Sequence, residues 1–137
     1  MRVAVVYFQN GNNEVKKTAE ALAQGIASEN HIVDLINGET DRDKKLTGYE
    51  YIAIGAAPLS LFRGRISEQI GSYLKNAGML SGKRSYAFIR KKGFGSARAL
   101  RSLMADMERE GMMLKISDIL FSVDEAVAAG KKLHIKK

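Results

Sequence analysis

The chain has 137 residues, enough for one domain, spanning 1–137, that buries roughly two thirds of its unfolded surface. It contains no cysteine, so disulfides, thiolate nucleophiles and cysteine-bound zinc or iron–sulfur centres are excluded, and His31 and His134 stand far apart without a ligand motif. The 22 Lys and Arg against 15 Asp and Glu give a formal net charge of +7, which favours acidic proteins, nucleic acids or anionic ligands without choosing among them.

Val3 to Phe8 reads as a first strand, apolar throughout and therefore buried on both faces. The run is too short for a membrane span and lacks a signal-peptide cleavage region, so a cytoplasmic location is the expectation. Gln9-Asn-Gly-Asn-Asn13 then turns the chain into a helix over Glu14 to Ala27. Val15, Ala19, Leu22, Ala23 and Ile26 form its apolar stripe, with Glu14, Lys16, Lys17, Glu20 and Gln24 opposite. A strand leading through such a turn into a helix opens an α/β unit. The free N–H groups of the helix's first turn make the turn a place for an anion, with phosphate the natural occupant.

His31 to Ile36 predicts a second strand, followed by a polar, exposed connection from Asn37 to Lys45. Tyr51 to Gly55 is a third strand, ending in Ala56-Ala-Pro-Leu-Ser-Leu-Phe-Arg-Gly64 with the chain's one proline, Pro58. A helix over Ile66 to Lys75 turns Ile66, Ile70, Tyr73 and Leu74 inward and stops at Asn76-Ala-Gly78. Ser85 to Ile89 is the fourth strand, ending in Arg90-Lys-Lys-Gly-Phe-Gly-Ser96. Ser96 is positioned to cap a helix with Leu100, Leu103, Met104 and Met107 on its stripe. The fifth strand falls within Met112 to Phe121. Ser122 and Glu125 have capping-box spacing before a last helix carrying Val123, Ala126, Val127 and Leu133, with Gly130 weakening its middle.

Five strands alternating with four helices, without a repeat or composition break, predict one three-layer α/β sandwich around a parallel sheet. The order 2-1-3-4-5 places the ends of strands one and three at a switch point and gathers the three glycine-bearing loops at one edge. Tyr49, Tyr51, Tyr73 and Tyr86 fall in strands or on helical stripes and read as core. Asp106 and Glu110 read as an outward pair of carboxylates facing Arg109 rather than as paired acid chemistry. No nucleophile elbow, P-loop lysine or aromatic single-strand-binding motif is present, so no catalytic residue and no metal ligand is assigned.

From Val3 through Leu133 this arrangement resembles the short-chain flavodoxins and related flavodoxin-like FMN proteins. Asn10-Gly11-Asn12-Asn13, preceded by Gln9, is similar to the family's T-G-N-T phosphate loop. The strand Tyr49-Glu-Tyr-Ile-Ala-Ile-Gly55 and Leu80-Ser-Gly-Lys-Arg84 also match the family's approach to its flavin loops. The resemblance implies FMN as cofactor, with Ala56, Ala57, Pro58 and Leu59 in the second flavin loop and Lys92, Gly93, Phe94 and Gly95 in the third. It further implies electron transfer with a redox protein partner, acidic if it complements this basic surface; no membrane partner is expected from the sequence, and a nucleic acid is kept open only by the alternative reading below.

This chain departs from the pattern at several places. Phe8 stands where the family has a hydroxyl, and no hydroxyl occurs from Gln9 to Asn13. Leu59 offers no stacking ring, which leaves Phe62 or Phe94 to face the isoalloxazine. The acidic surroundings usual for the family's flavin are replaced by Arg90, Lys91 and Lys92, with Arg63 and Arg65 nearby, and positive charge favours the reduced, anionic flavin. Two other readings stand beside the carrier: a flavodoxin-like basic interaction or nucleic-acid-binding module without FMN, and a small FMN-dependent reductase.

Overall fold

The computed structural model describes residues 1–133 and 135; His134, Lys136 and Lys137, the last two part of the basic tail, lie outside the described residues. Five strands, β1 (Arg2–Tyr7), β2 (Ile32–Asn37), β3 (Tyr51–Ala56), β4 (Arg84–Arg90) and β5 (Met113–Leu120), form one parallel sheet in the order β2-β1-β3-β4-β5. Between them run α1 (Asn13–Ala27), α2 (Glu68–Lys75), α3 (Ser96–Arg109) and α4 (Val123–Lys132). The sequence expectation of fold class and strand order is met. Most element ends lie a residue or two from their expected places.

Burial explains which strands sit where. All six residues of β3 are buried, as are Val3–Tyr7 and Ser85–Ile89, because these three strands are covered on both faces. The edge strands β2 and β5 mix exposed and buried positions. Between Ser85 and Tyr86 the β4–β5 register slips by one residue. Ser85 pairs with Leu114 and Tyr86 with Ile116, leaving the charged Lys115 out of the ladder.

The alternation of side chains divides the core between two faces. Ala4, Val6, Phe8, Ile52 and Ile54 pack under α2 and α3 with Ile70, Tyr73, Leu103 and Met107. Val3, Val5, Tyr51, Tyr86 and Phe88 pack under α1 and α4 with Val15, Leu22, Ile26 and Ala126. All five tyrosines are buried. Burial pushes the hydroxyls of Tyr51 and Tyr73 up to about 12, so both remain neutral core groups.

Three local expectations are corrected. Ile66 precedes α2 instead of starting it, because Ser67 takes the capping position and accepts from the Gln69 N–H at 3.2 Å. Val123 is exposed rather than inward, standing in the first turn of α4 outside the buried stripe. Gly130 is a contact, not a weakness: a Cβ there would lie 2.5 Å from the Leu22 carbonyl oxygen, and one on Gly25 would lie 2.2 Å from that of Val127. The two glycines let α1 and α4 touch backbone to backbone. Ser122 caps α4 as its spacing predicts, its Oγ accepting from the Glu125 N–H at 3.2 Å, while the Glu125 carboxylate reaches one residue past the cap, Oε2 accepting from the Phe121 N–H at 3.0 Å.

Candidate functional site

In a parallel sheet the carboxyl ends of β1, β3 and β4 share one edge, so the three predicted loops leave from the same side of the molecule. Tyr7 at the end of β1 lies between Asn37 of β2 and Gly55 of β3. The ladder continues one step further, with the Phe8 N–H donating to the Gly55 carbonyl at 3.0 Å and the Gly38 N–H to that of Tyr7 at 2.9 Å.

The first loop is a tight turn. Asn10 and Gly11 have φ values of 45° and 80°, and the Asn12 N–H closes the turn onto the Gln9 carbonyl at 2.9 Å. Asparagine and glycine are the residues that tolerate this left-handed backbone, which explains the Asn-Gly pair. Asn12 caps α1, its Oδ1 accepting from the Glu14 N–H at 3.0 Å. Asn13 is the first helical residue and is exposed. The amide of Asn12 therefore holds the helix end itself.

The N–H groups of Gln9 and Asn10 already hold an anion. They donate to the two oxygens of the Glu39 carboxylate, at 3.2 Å to Oε1 and 2.8 Å to Oε2. Glu39 is delivered by a turn after β2 in which Asn37 Oδ1 accepts from the N–H groups of Glu39 at 2.9 Å and Thr40 at 3.3 Å. The sequence reading placed this connection in solvent and missed Glu39. The available signal was topological: β2 neighbours β1, so the loop after one faces the loop after the other.

Phe8, where the resemblance led to a hydroxyl, turns away from the loop into the core. It is buried, meets Tyr73 edge to face with ring centroids 5.7 Å apart, and lies against Gly38, where a Cβ would be 2.3 Å from the ring. Tyr73 in turn donates to the Lys44 carbonyl at 3.0 Å. Gln9 Oε1 is buried without a hydrogen-bond partner among the described residues.

The second and third loops are joined to each other. Ala56 ends β3 as a core residue, Ala57 and Pro58 are also buried, and Leu59 is the first exposed residue of the second loop. The Leu59 N–H donates to the Arg65 carbonyl at 2.8 Å, closing the second loop on itself. The Phe94 N–H donates to the Leu61 carbonyl at 2.6 Å. A Cβ on Gly93 would lie 2.3 Å from that same carbonyl oxygen, and one on Gly95 would lie 2.3 Å from the Gly64 nitrogen. Glycine at these positions is what allows the close approach.

Above this clasp, Phe62 and Phe94 stack on one another with centroids 5.8 Å apart and an interplanar angle of 20°. They are 72% and 83% exposed, so Phe94 is not an anchor folded onto the sheet. Ser96 does not cap α3 as expected; Gly95 takes the capping position, and Ser96 Oγ instead accepts from the Lys92 N–H at 3.1 Å. The Lys91 ammonium donates to the Gly93 carbonyl. Arg90, expected as a cation beside the ligand, is mostly buried and reaches the Glu14 carboxylate at 3.7 Å, with its Nε unpartnered among the described residues.

The structure thus makes Gln9, Asn10, Gly11, Asn12 and Asn13 one turn in which the N–H groups of Gln9 and Asn10 hold the anion, Gly11 supplies left-handed backbone and Asn12 caps α1 ahead of Asn13. It brings Phe62 and Phe94 together as an exposed aromatic knob over the half-buried Lys92 and Gly93 and the buried Gly95, while Leu59 is exposed at the closure of its own loop onto Arg65. Between Tyr51 and Ala105 the only carboxylate is Glu68, while Arg63, Arg65, Lys92 and Arg98 belong to or adjoin the two clasped loops. The edge can grip an oxyanion and present an apolar, positively rimmed surface.

Neither protein-family models nor curated proteins give a match to this sequence. Solved structures do. Oxidised Flavodoxin 1 from Bacillus cereus is 16% identical, with 98% of this chain and 99% of that one covered at a TM-score of 0.73. A flavodoxin from the domain Archaea is 21% identical over 97% and 93%, at 0.71. Two-electron reduced flavodoxin from Megasphaera elsdenii is 17% identical over 95% and 98%, at 0.71. At such identities the likeness establishes a flavodoxin-like fold across the chain.

Proposed function

We propose that this chain is an FMN-binding electron-transfer protein of flavodoxin type. One observation carries the reading: adjacent N–H groups of the first loop, those of Gln9 and Asn10 just ahead of the α1 cap, hold both oxygens of a carboxylate. That carboxylate is a stand-in for an oxyanion, and its geometry fits the donor set to a phosphate end. Backbone donors do this without the missing hydroxyls.

The residues also suit the ring end. An exposed phenylalanine on a glycine-flanked loop offers a flat apolar face. Phe62 and Phe94 stand too close to admit a third ring between them, so the outer face of one of the pair is what they would offer a flavin ring. FMN supplies the one- and two-electron chemistry that a chain without cysteine lacks. The protein's own residues grip the phosphate, shield one ring face and place positive charge nearby. That charge stabilises the more negative, reduced state of the ligand. Its partner is a redox protein with an acidic face, meeting Arg63, Arg65, Lys92 and Arg98 around the aromatic knob.

Titration with FMN, followed by visible spectroscopy and calorimetry, tests the proposal. Saturable binding at micromolar FMN or below with a perturbed flavin spectrum is expected. Absence of binding at micromolar FMN passes the site to the interaction-module reading, for which the exposed knob and basic rim are the supporting observation. Oxidation of NAD(P)H by the FMN-loaded protein alone would turn the carrier into a reductase.

A further inference from the structure

We infer that Glu39 is a built-in competitor for the phosphate end of the ligand, holding the first loop closed until a phosphate displaces it. The inference rests on the FMN reading above and concerns how that site is regulated.

The carboxylate is not a surface side chain that happens to fall near the loop. Its two oxygens take separate N–H donors, those of Gln9 and Asn10. The turn carrying it is fixed at three points: Asn37 Oδ1 accepts from the Glu39 N–H at 2.9 Å, the Gly38 N–H donates to Tyr7, and Gly38 fits the Phe8 ring where no Cβ has room. Phe8 therefore does two things. It removes a hydroxyl from the first loop, and its ring beds the turn that supplies the replacement anion.

Glu39 forms no ion pair with a cation among the described residues, and the N–H groups of Gln9 and Asn10 are what its carboxylate oxygens meet. A phosphate dianion needs the same donors. Two negative groups cannot share them at hydrogen-bond distance, since like charges in one site repel strongly. Binding must expel the carboxylate into water, and the affinity for any phosphate is lowered by what that carboxylate gained from the loop. Hydrogen bonds to a charged group are strong enough to make this loss about ten-fold or more.

The test compares wild type, Glu39→Ala and Glu39→Gln, each checked for native circular dichroism, with three probes: FMN, riboflavin and inorganic phosphate. FMN should bind Glu39→Ala about ten-fold or more tightly than wild type, with Glu39→Gln between them. Riboflavin, which lacks the phosphate, should bind all three equally, and inorganic phosphate should raise the melting temperature of Glu39→Ala more than that of wild type. Equal or weaker FMN binding by Glu39→Ala, when wild type binds FMN, overturns the competitor and leaves the FMN reading standing. Stabilisation of Glu39→Ala by phosphate with no FMN binding by any form keeps the competitor and overturns FMN. Failure with both probes overturns both.

Discussion

Two glycine-mediated contacts of backbone against backbone differ in their surroundings. Between α1 and α4, Gly25 and Gly130 allow the helices to touch, and the contact is enclosed by Leu22, Ile26 and Ala126, all fully buried. Between the second and third loops, Gly64, Gly93 and Gly95 allow an equally close approach, yet Leu61, Phe62 and Phe94 around it are half exposed or more. The same device closes a core in one place and mounts apolar side chains in water in the other. Exposed apolar clusters rimmed by charge are the mark of a contact surface, because they cost solubility and contribute little to folding. The helix contact therefore serves stability, and the loop contact serves presentation.

The largest effect should come from the helix pair. Gly25→Leu, in the last turn of α1, forces a side chain against the Val127 carbonyl between two packed helices, where the atoms it meets are backbone and not a flexible side chain. Unfolding in urea should show a loss of about 3 kcal/mol, at the upper end for overpacking. A loss below about 1 kcal/mol would mean that α4 can ride outward freely, and the contrast with the loops would dissolve.

A smaller effect is expected at the loop pair. Gly93 has a φ of 60° and faces the Leu61 backbone, so Gly93→Val combines left-handed strain in a β-branched residue with a direct clash. The cost should be about 2 kcal/mol at most, because the loops can separate into solvent and relieve it. Hydrogen exchange gives the sharper readout: the Phe94 amide, bonded to the Leu61 carbonyl in the native protein, should lose its protection while the β3 and β4 amides keep theirs. Loss of protection throughout the sheet would show that the loop clasp is part of the core after all.

The sheet was readable because the signal repeats along the chain. Continuous apolar runs mark β1, β3 and β4 as central, and the helical stripes fix which side each helix buries. The local turn at Asn10 and Gly11 was readable for a similar reason, since left-handed backbone selects those residue types. What the sequence hid are pairings between segments distant in the chain. Glu39 lies twenty-nine residues from Asn10 and sits in a polar connection that looks like any solvated loop. Gly130 looks like a flaw in α4 until Leu22 is placed beside it. Phe62 meets Phe94 only because the path of the second loop turns back on itself at Leu59 and Arg65. Periodicity reports the environment of an element, and these contacts depend on which loops the topology makes neighbours.

The smallest change in stability should follow removal of the most exposed ring, and this makes it the finest test of the comparison. Phe94 is 83% exposed, and its ring contact among the described residues is with Phe62, itself 72% exposed. Phe94→Ala removes little buried area, so the unfolding free energy should fall by less than about 1 kcal/mol, the scale of one exposed aromatic pair. The loop clasp itself is made by the Phe94 N–H, which alanine retains, so loop geometry should survive. FMN binding should nevertheless weaken about ten-fold, since a ring face is worth more to a flat ligand than to the fold. A stability loss well above 1 kcal/mol with unchanged FMN affinity would assign Phe94 to the architecture. Weakened binding in a protein of native stability would place its contribution in recognition, where the exposed half of the comparison puts it.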